Sequence, residues 1–324
     1  MRLLRKYYLL PLLLFTAISS CKKENNEPVI RSDFIVAGYL PAWAMETVDY
    51  EVAGRLDILY FFSIAPDENG DFYIAPGISD QLSALKGTIN PDRTRIFIVV
   101  GGYYESETIF PMMQDEAKRA SYIHQLVTFC RDNGLDGVDL DWEPFPFSIS
   151  DADYLTLVGQ MSDSLRANDL EFSIAMMISQ YSTSAKMILL VDYINVMVYE
   201  IFDNDWNHIP MEMFEDYANR HISAGIPASK MIMGVPYFGR RPYREGDTSP
   251  LYLTYRHIVE LATPPPDADR YLEYSYNGID LVRKKTRYLM NGNYAGIMSW
   301  EVSQDAPYNS GYSLTRTIME ETIK

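Results

Sequence analysis

Eight near-continuous apolar, β-rich runs recur along the chain from Asp33 onward, and they limit the folds open to it. They lie at 34–40, 56–64, 95–100, 135–143, 171–178, 193–199, 231–237 and 295–301. A strand that is apolar along its whole length is covered on both faces, as in a parallel sheet flanked by helices. Several connections carry helical spacing. Tyr154, Val158, Met161 and Leu165 recur every three or four residues behind Asp151 and Asp153, either of which can cap a helix. Met213 to Ile222 repeats the pattern before Gly225, a plausible stop, and Ile279 to Met290 ends at Asn291-Gly292-Asn293. Between the second and third runs, Asp67-Glu68-Asn69-Gly70-Asp71 signals a tight hairpin turn in place of a helix. Eight strands alternating with helices predict an α/β fold, a (β/α)8 TIM barrel, as one domain over residues 33–324. About 55 residues, Arg240 to Tyr294, separate the last two runs, so any insertion there is small or absent. The competing architecture, a doubly wound open sheet, usually has a glycine-rich phosphate turn after its first strand. Leu40-Pro41-Ala42-Trp43 offers none.

The fourth run differs from the others. Asp139, Asp141 and Glu143 alternate with Val138, Leu140 and Trp142. Successive strand side chains point to opposite faces, so the three acids share one side and the bulky residues the other. An unpaired buried carboxylate costs several kcal/mol, so an inward row of acids marks a site. Glu143 falls just before Pro144-Phe145-Pro146, at the C-terminal end of its strand, where TIM barrels carry their active sites. A bland alternative is a divalent-cation site or a solvated strand end, since Ca²⁺ and Mg²⁺ take carboxylates. No second acidic cluster completes such a site, the four His show no ligand spacing, and there is no GxSxG, Walker loop or CxxC pair. Neither a metal nor a cofactor is expected.

The N-terminus carries a different message. Arg2, Arg5 and Lys6 precede an apolar stretch from Tyr7 to Ala17, of signal-peptide length and short for a membrane span. Ile18-Ser19-Ser20-Cys21 resembles a bacterial lipobox, and the polar Lys22 to Pro28 has no reason to fold. The expectation is a lipoprotein signal peptide over 1–20, lipidation at Cys21 and a polar tether over 21–32. The product would be exported and membrane-anchored through lipid, at the outer membrane, the cell surface or in the periplasm. An ordinary signal peptide with an incidental cysteine is the alternative. Removing residues 1–20 leaves 25 cations against 44 acids, a net charge of −19 that repels phosphate backbones. Nucleic acid is therefore excluded as a partner, and a monomer is the default. With Cys21 lipidated, Cys130 has no disulfide partner and reads as a small buried residue near a helix end. The 25 Tyr and four Trp offer flat surfaces with polar tips for sugars or proteins, although core packing takes most of them.

Asp136-Gly137-Val138-Asp139-Leu140-Asp141-Trp142-Glu143 resembles the DGxDxDxE signature of family 18 glycoside hydrolases, the chitinases and endo-β-N-acetylglucosaminidases. Supporting pieces follow in order: Gly38-Tyr39 on the first run, Met197-Val198-Tyr199 on the sixth, Gly234 to Arg240 on the seventh, and Gly296-Ile297-Met298-Ser299-Trp300 on the eighth. The resemblance spans roughly residues 34–305. Two departures stand out. Val99-Val100-Gly101-Gly102 lacks the serine the family often has before its paired glycines, and Glu200 stands where chitinases usually carry aspartate.

The resemblance implies retaining, substrate-assisted hydrolysis of β-1,4 bonds next to N-acetylglucosamine, through an oxazolinium intermediate. Glu143 would be the general acid and later the base, with its proton affinity raised by Asp141. Asp141 would hold the acetamido N–H, and Asp139 behind it would share a proton or hydrogen bond with Asp141. Tyr199 would align the acetamido carbonyl. Trp300 would floor the sugar pocket, with Tyr39, Met197 and Glu200 lining it. Trp43, Tyr103, Tyr104, Phe145, Trp206 and Tyr237 are further candidate sugar-facing aromatics. An endo-β-N-acetylglucosaminidase acting on N-glycan cores uses the same apparatus. A non-catalytic sugar-binding protein on this scaffold is the alternative outside the enzymes, and the presence of Glu143 speaks against it.

Overall fold

The computed structural model describes residues 33–143, 151–246 and 248–323. The segment expected to be a signal peptide, Cys21, the expected tether and Pro144-Phe145-Pro146 all lie outside these. Eight strands close a barrel: β1 (Ile35–Pro41), β2 (Ile58–Ile64), β3 (Arg95–Gly101), β4 (Gly137–Asp141), β5 (Glu171–Met177), β6 (Tyr193–Met197), β7 (Met231–Pro236) and, last in the chain, β12 (Gly296–Trp300). Neighbours pair in parallel all the way round, and β1 meets β12 through the Ile35–Gly296 register to shut the cylinder. Each run read from the sequence is one of these strands, with no end moved by more than two residues.

Parity sorts each strand between two cores. Val138 and Leu140 of β4 face outward into the layer under the helices, with Ile98 and Val100 of β3. Tyr39, Tyr60, Phe62, Phe97 and Val99 face inward and fill the barrel. The outer layer is made by α1 (Tyr50–Ala53), α2 (Ile78–Thr88), α3 (Ser106–Gln114), α4 (Glu116–Asp132), α5 (Asp151–Arg166), α6 (Tyr181–Met187), α7 (Met211–Ser223), α8 (Tyr255–Ala262), α9 (Ile279–Asn291) and α10 (Leu314–Thr322). Tyr154, Val158, Met161 and Leu165 form the buried stripe of α5 as their spacing requires. Cys130 is a buried free thiol near the end of α4.

Two connections differ from expectation. Asp67 to Gly70 does form a turn, closed by Gly70 N–H donating to the Asp67 carbonyl, with Gly70 at φ +83°. It joins no hairpin; the chain runs on into α2 instead. That helix buries only Ile78, Leu82 and Leu85 and starts at Gly77 with no side-chain cap, so its signal is weak. Between β7 and β12 lies a small insertion. β8 (Phe238–Arg240), β9 (Tyr252–Thr254), β10 (Arg270–Tyr271) and β11 (Tyr274–Ser275) make an antiparallel sheet in the order β10-β11-β8-β9. Its strands of two or three residues are too short to show a period.

Candidate active site

The inward acids of β4 meet a polar layer built from four other strands. Asp139 is fully buried, and both its oxygens are occupied. Tyr39 Oη donates to Oδ2 at 2.8 Å, while Ser173 Oγ and Asn195 Nδ2 donate to Oδ1 at 2.6 and 3.0 Å. Asn195 also donates to Tyr39 Oη and accepts from Tyr60 Oη, tying β1, β2, β5 and β6 to one carboxylate. Burial pushes the Asp139 carboxyl up to about 6, with the three donors pulling the other way. The hydrogen bond expected between Asp139 and Asp141 is replaced by these partners. The two acids act on each other through charge.

Asp141 lies one layer up, also buried, and its Oδ1 has no hydrogen-bond partner among the described residues. Burial, then Glu143, Asp139 and Glu105, raise its carboxyl well above the ordinary range. Glu143 sits just beyond the strand end, half-buried, with its carboxyl pushed up to about 7 by burial and then by Glu105. Asp141 and Glu143 titrate together, so a proton belongs to the pair. Asp141 and Glu143 repel each other, and Glu105 adds to the push on both.

These groups open into a cavity of about 450 Å³. Tyr39, Met197, Tyr199, Glu200 and Trp300 all line it with Asp141 and Glu143, so every one of these residues picked from the sequence reaches one place. Tyr199 fits because Gly234 opposite has no side chain; a Cβ there would come within 2.9 Å of its ring. Trp300 packs against Tyr39 at 5.6 Å and edge-on to Phe62 at 4.9 Å. Glu200 holds a left-handed φ of +60°, its N–H donates to His208 Nε2 at 3.0 Å, and its carboxylate pairs with Arg240 of β8 at 3.0 Å. The longer acid thereby ties the barrel rim to the small sheet.

Of the other aromatics, exposed Trp43, Tyr103 and Tyr104 rim the cavity. Tyr237 and Trp206 do not line it. Tyr237 is buried with its hydroxyl on Thr315, and Trp206 stacks on Phe202 at 4.4 Å. Phe62 and Glu105 line the cavity and were not singled out from the sequence. Phe62 was findable, because it shares parity with Tyr60 on β2; Glu105 is a lone loop acid with no periodic signal. A larger recess of about 570 Å³ lies outside the barrel between α4 and α5, away from the acid row. No cluster of three or more metal-ligating side chains occurs among the described residues.

Comparison with known proteins agrees with this geometry. The model of Glycosyl hydrolases family 18 matches residues 35–305. Endochitinase 1 of Metarhizium robertsii is 27% identical over 282 residues, covering 71% of this chain and 65% of the relative. Chitinase A1 of Niallia circulans is 28% identical over 214 residues, covering 53% and 30%. The chain thus spans less than two thirds of the length of either. Among solved structures, the GH18 chitinase ChiB from the chitin utilization locus of Flavobacterium johnsoniae superposes with a TM-score of 0.77 at 22% identity, covering 90% of this chain and 94% of that one, which marks a shared fold. With its barrel, its acid row on β4 and a family match over most of its length, the chain belongs to glycosyl hydrolase family 18.

Proposed function

We propose that the chain hydrolyses β-1,4 bonds next to N-acetylglucosamine, in chitin or its oligomers, with retention and with help from the substrate's own acetamido group. The observation that carries this reading is Glu143. It lines an aromatic-walled cavity with its carboxyl pushed up to about 7, beside an Asp141 whose Oδ1 has no hydrogen-bond partner among the described residues. Burial and mutual repulsion keep a proton on the Asp141–Glu143 pair near neutral pH, the condition for giving a proton and taking it back.

In the first step Glu143 protonates the glycosidic oxygen as the acetamido carbonyl oxygen attacks the anomeric carbon. The leaving sugar departs as an alcohol and a cyclic oxazolinium remains. Asp141 accepts from the acetamido N–H and balances its positive charge; Tyr199 Oη donates to the carbonyl oxygen and aims it. Trp300 stacks beneath the sugar. Glu143 then takes a proton from water, which opens the oxazolinium from the face the leaving group vacated. Two inversions give net retention. Asp139, Asp141 and Glu143 rise from one strand and Glu200 is held by Arg240, so the acetamido group is the proposed nucleophile.

The test is Glu143→Gln, assayed on chitin oligomers and on an N-glycosylated protein side by side. Turnover should fall by about 10²–10⁴-fold with oligosaccharide binding kept. Near-parental turnover would exclude Glu143 as the acid. Cleavage of the glycoprotein alone would favour an endo-β-N-acetylglucosaminidase, and binding without turnover by the parent would favour a lectin-like role. An NMR time course should show the β anomer released first. Export and lipid anchoring through Cys21 are proposed on the N-terminal pattern alone; labelled palmitate should enter the parent and not Cys21→Ala.

A further inference from the structure

We propose that Glu105, on the loop that follows β3 beside the end of β4, is a positioning residue that favours the protonated form of Glu143 by charge repulsion. The inference rests on Glu143 as the proton donor. Three pieces of geometry place Glu105 for this task. Gly101 and Gly102 end β3 at φ +105° and +121°, and Glu105 Oε2 lies where a Cβ on Gly102 would be crowded, at 3.1 Å, next to Phe62. The missing side chain makes room for a carboxylate on the cavity wall. Glu105 is also the N-cap residue of α3, yet its side chain makes no capping bond to that helix. It lines the cavity instead, with Asp141 and Glu143.

The loop is then locked to β4 by its next residue. Buried Ser106 donates from Oγ to the Gly102 carbonyl at 2.8 Å and accepts from the Glu143 N–H at 2.8 Å, while Gly102 N–H donates to the Asp141 carbonyl at 2.8 Å. Glu105 therefore cannot drift from Glu143 without breaking the strand-end contacts. Other groups face the same space. Asp141 rises from β4, with Asp139 one layer beneath the cavity, Tyr39 comes from β1, and Tyr199 and Glu200 follow β6. Of these, Asp139 is satisfied by its three donors, the tyrosine hydroxyls stay un-ionised through burial, and Glu200 is neutralised by Arg240. Among the described residues Glu105 pairs with no cation; burial raises its own carboxyl, and its charge adds to that of Asp141 in pushing on Glu143. Repulsion disfavours the ionised form of Glu143, so it extends proton donation to higher pH.

The test compares the parent with Glu105→Gln, which keeps shape and removes charge, and Glu105→Asp, which keeps charge. The carboxyl-carbon NMR titration of Glu143 and the upper limb of the kcat–pH profile should both move down in Glu105→Gln. The expected shift is on the order of one pH unit, a tenfold loss of donor above the limb. Glu105→Asp should restore most of it, and KM should change little. Unmoved midpoint and limb in a folded Glu105→Gln overturn the proposal, as does an equal loss of kcat at every pH. If the NMR midpoint moves while Glu143→Gln still turns over substrate, the charge coupling stands and the assignment of Glu143 as the acid fails.

Discussion

At the scale of single residues, the site spends hydrogen bonds on keeping one buried acid in place. Asp139 takes three donors from three strands, and Val99 packs at the register position beside it on β3. The hydroxyl that the family often has on that side is made good from β5, where Ser173 pairs with Asp139 in register. Tyr39→Phe removes one donor and should raise the Asp139 carboxyl above about 6. The sign follows from linkage. A carboxyl whose folded pKa exceeds its unfolded value of about 3.9 adds stability below that value and loses it as pH rises through the folded pKa. Tyr39→Phe should therefore cost about 1–3 kcal/mol at pH near 8, where Asp139 is ionised, and less near pH 5. Equal losses in urea melts at both pH values would show that Tyr39 serves packing and not the charge. The inward acids could be read from a period of two, because β4 must hide its other face under α5. Their partners could be read only by parity on strands far apart in the chain. Glu105 escaped because a loop has no period.

At the scale of elements, the turn from β3 to α3 does more than connect. A Cβ on Gly101 would meet the Asp141 carbonyl oxygen at 2.2 Å, and φ +105° is closed to other residues. Gly101→Ala should push away the strand end that carries Asp141 and Glu143, costing about 2–4 kcal/mol and most of the activity. Gly159 in the middle of α5 is the control: a Cβ there meets nothing within 4 Å. Gly159→Ala should stabilise by about 0.5–1 kcal/mol with activity intact, through helix propensity and a less flexible unfolded chain. Urea midpoints at constant slope separate the two. The same contrast explains which elements the sequence reveals. Barrel strands show because both faces are buried, and α5 shows because its stripe is four residues deep. The helix α2, with three buried residues and a bare glycine cap, is outweighed by the turn before it. The two- and three-residue strands of the small sheet are held by pairing with each other, and no local pattern encodes that.

For the molecule as a whole, the acids that make the site also set how stability responds to pH. Burial raises Asp139 and Asp305 to about 6 and Glu143 to about 7, against unfolded values near 4. Each adds stability below about pH 4 that is lost as pH climbs through 6 to 7. Across the same range the net charge moves toward −16, and self-repulsion adds to the loss. Carboxylates with lowered pKa, such as Asp67 and Asp203, act in the opposite sense but lie partly open to solvent, where water screens them. The melting temperature should thus fall between pH 5.5 and 8, and added salt should recover part of the fall at pH 8. Glu143→Gln isolates the share that belongs to the site. The amide cannot ionise, so at pH 8 the variant should melt about 2–5 °C above the parent, and at pH 4.5 the two should coincide. A variant that gains equally at both pH values would place the benefit in packing. Gain at high pH together with lost turnover would mean that the ionised carboxyl, costly to hold in the cavity, is retained because the reaction needs its proton.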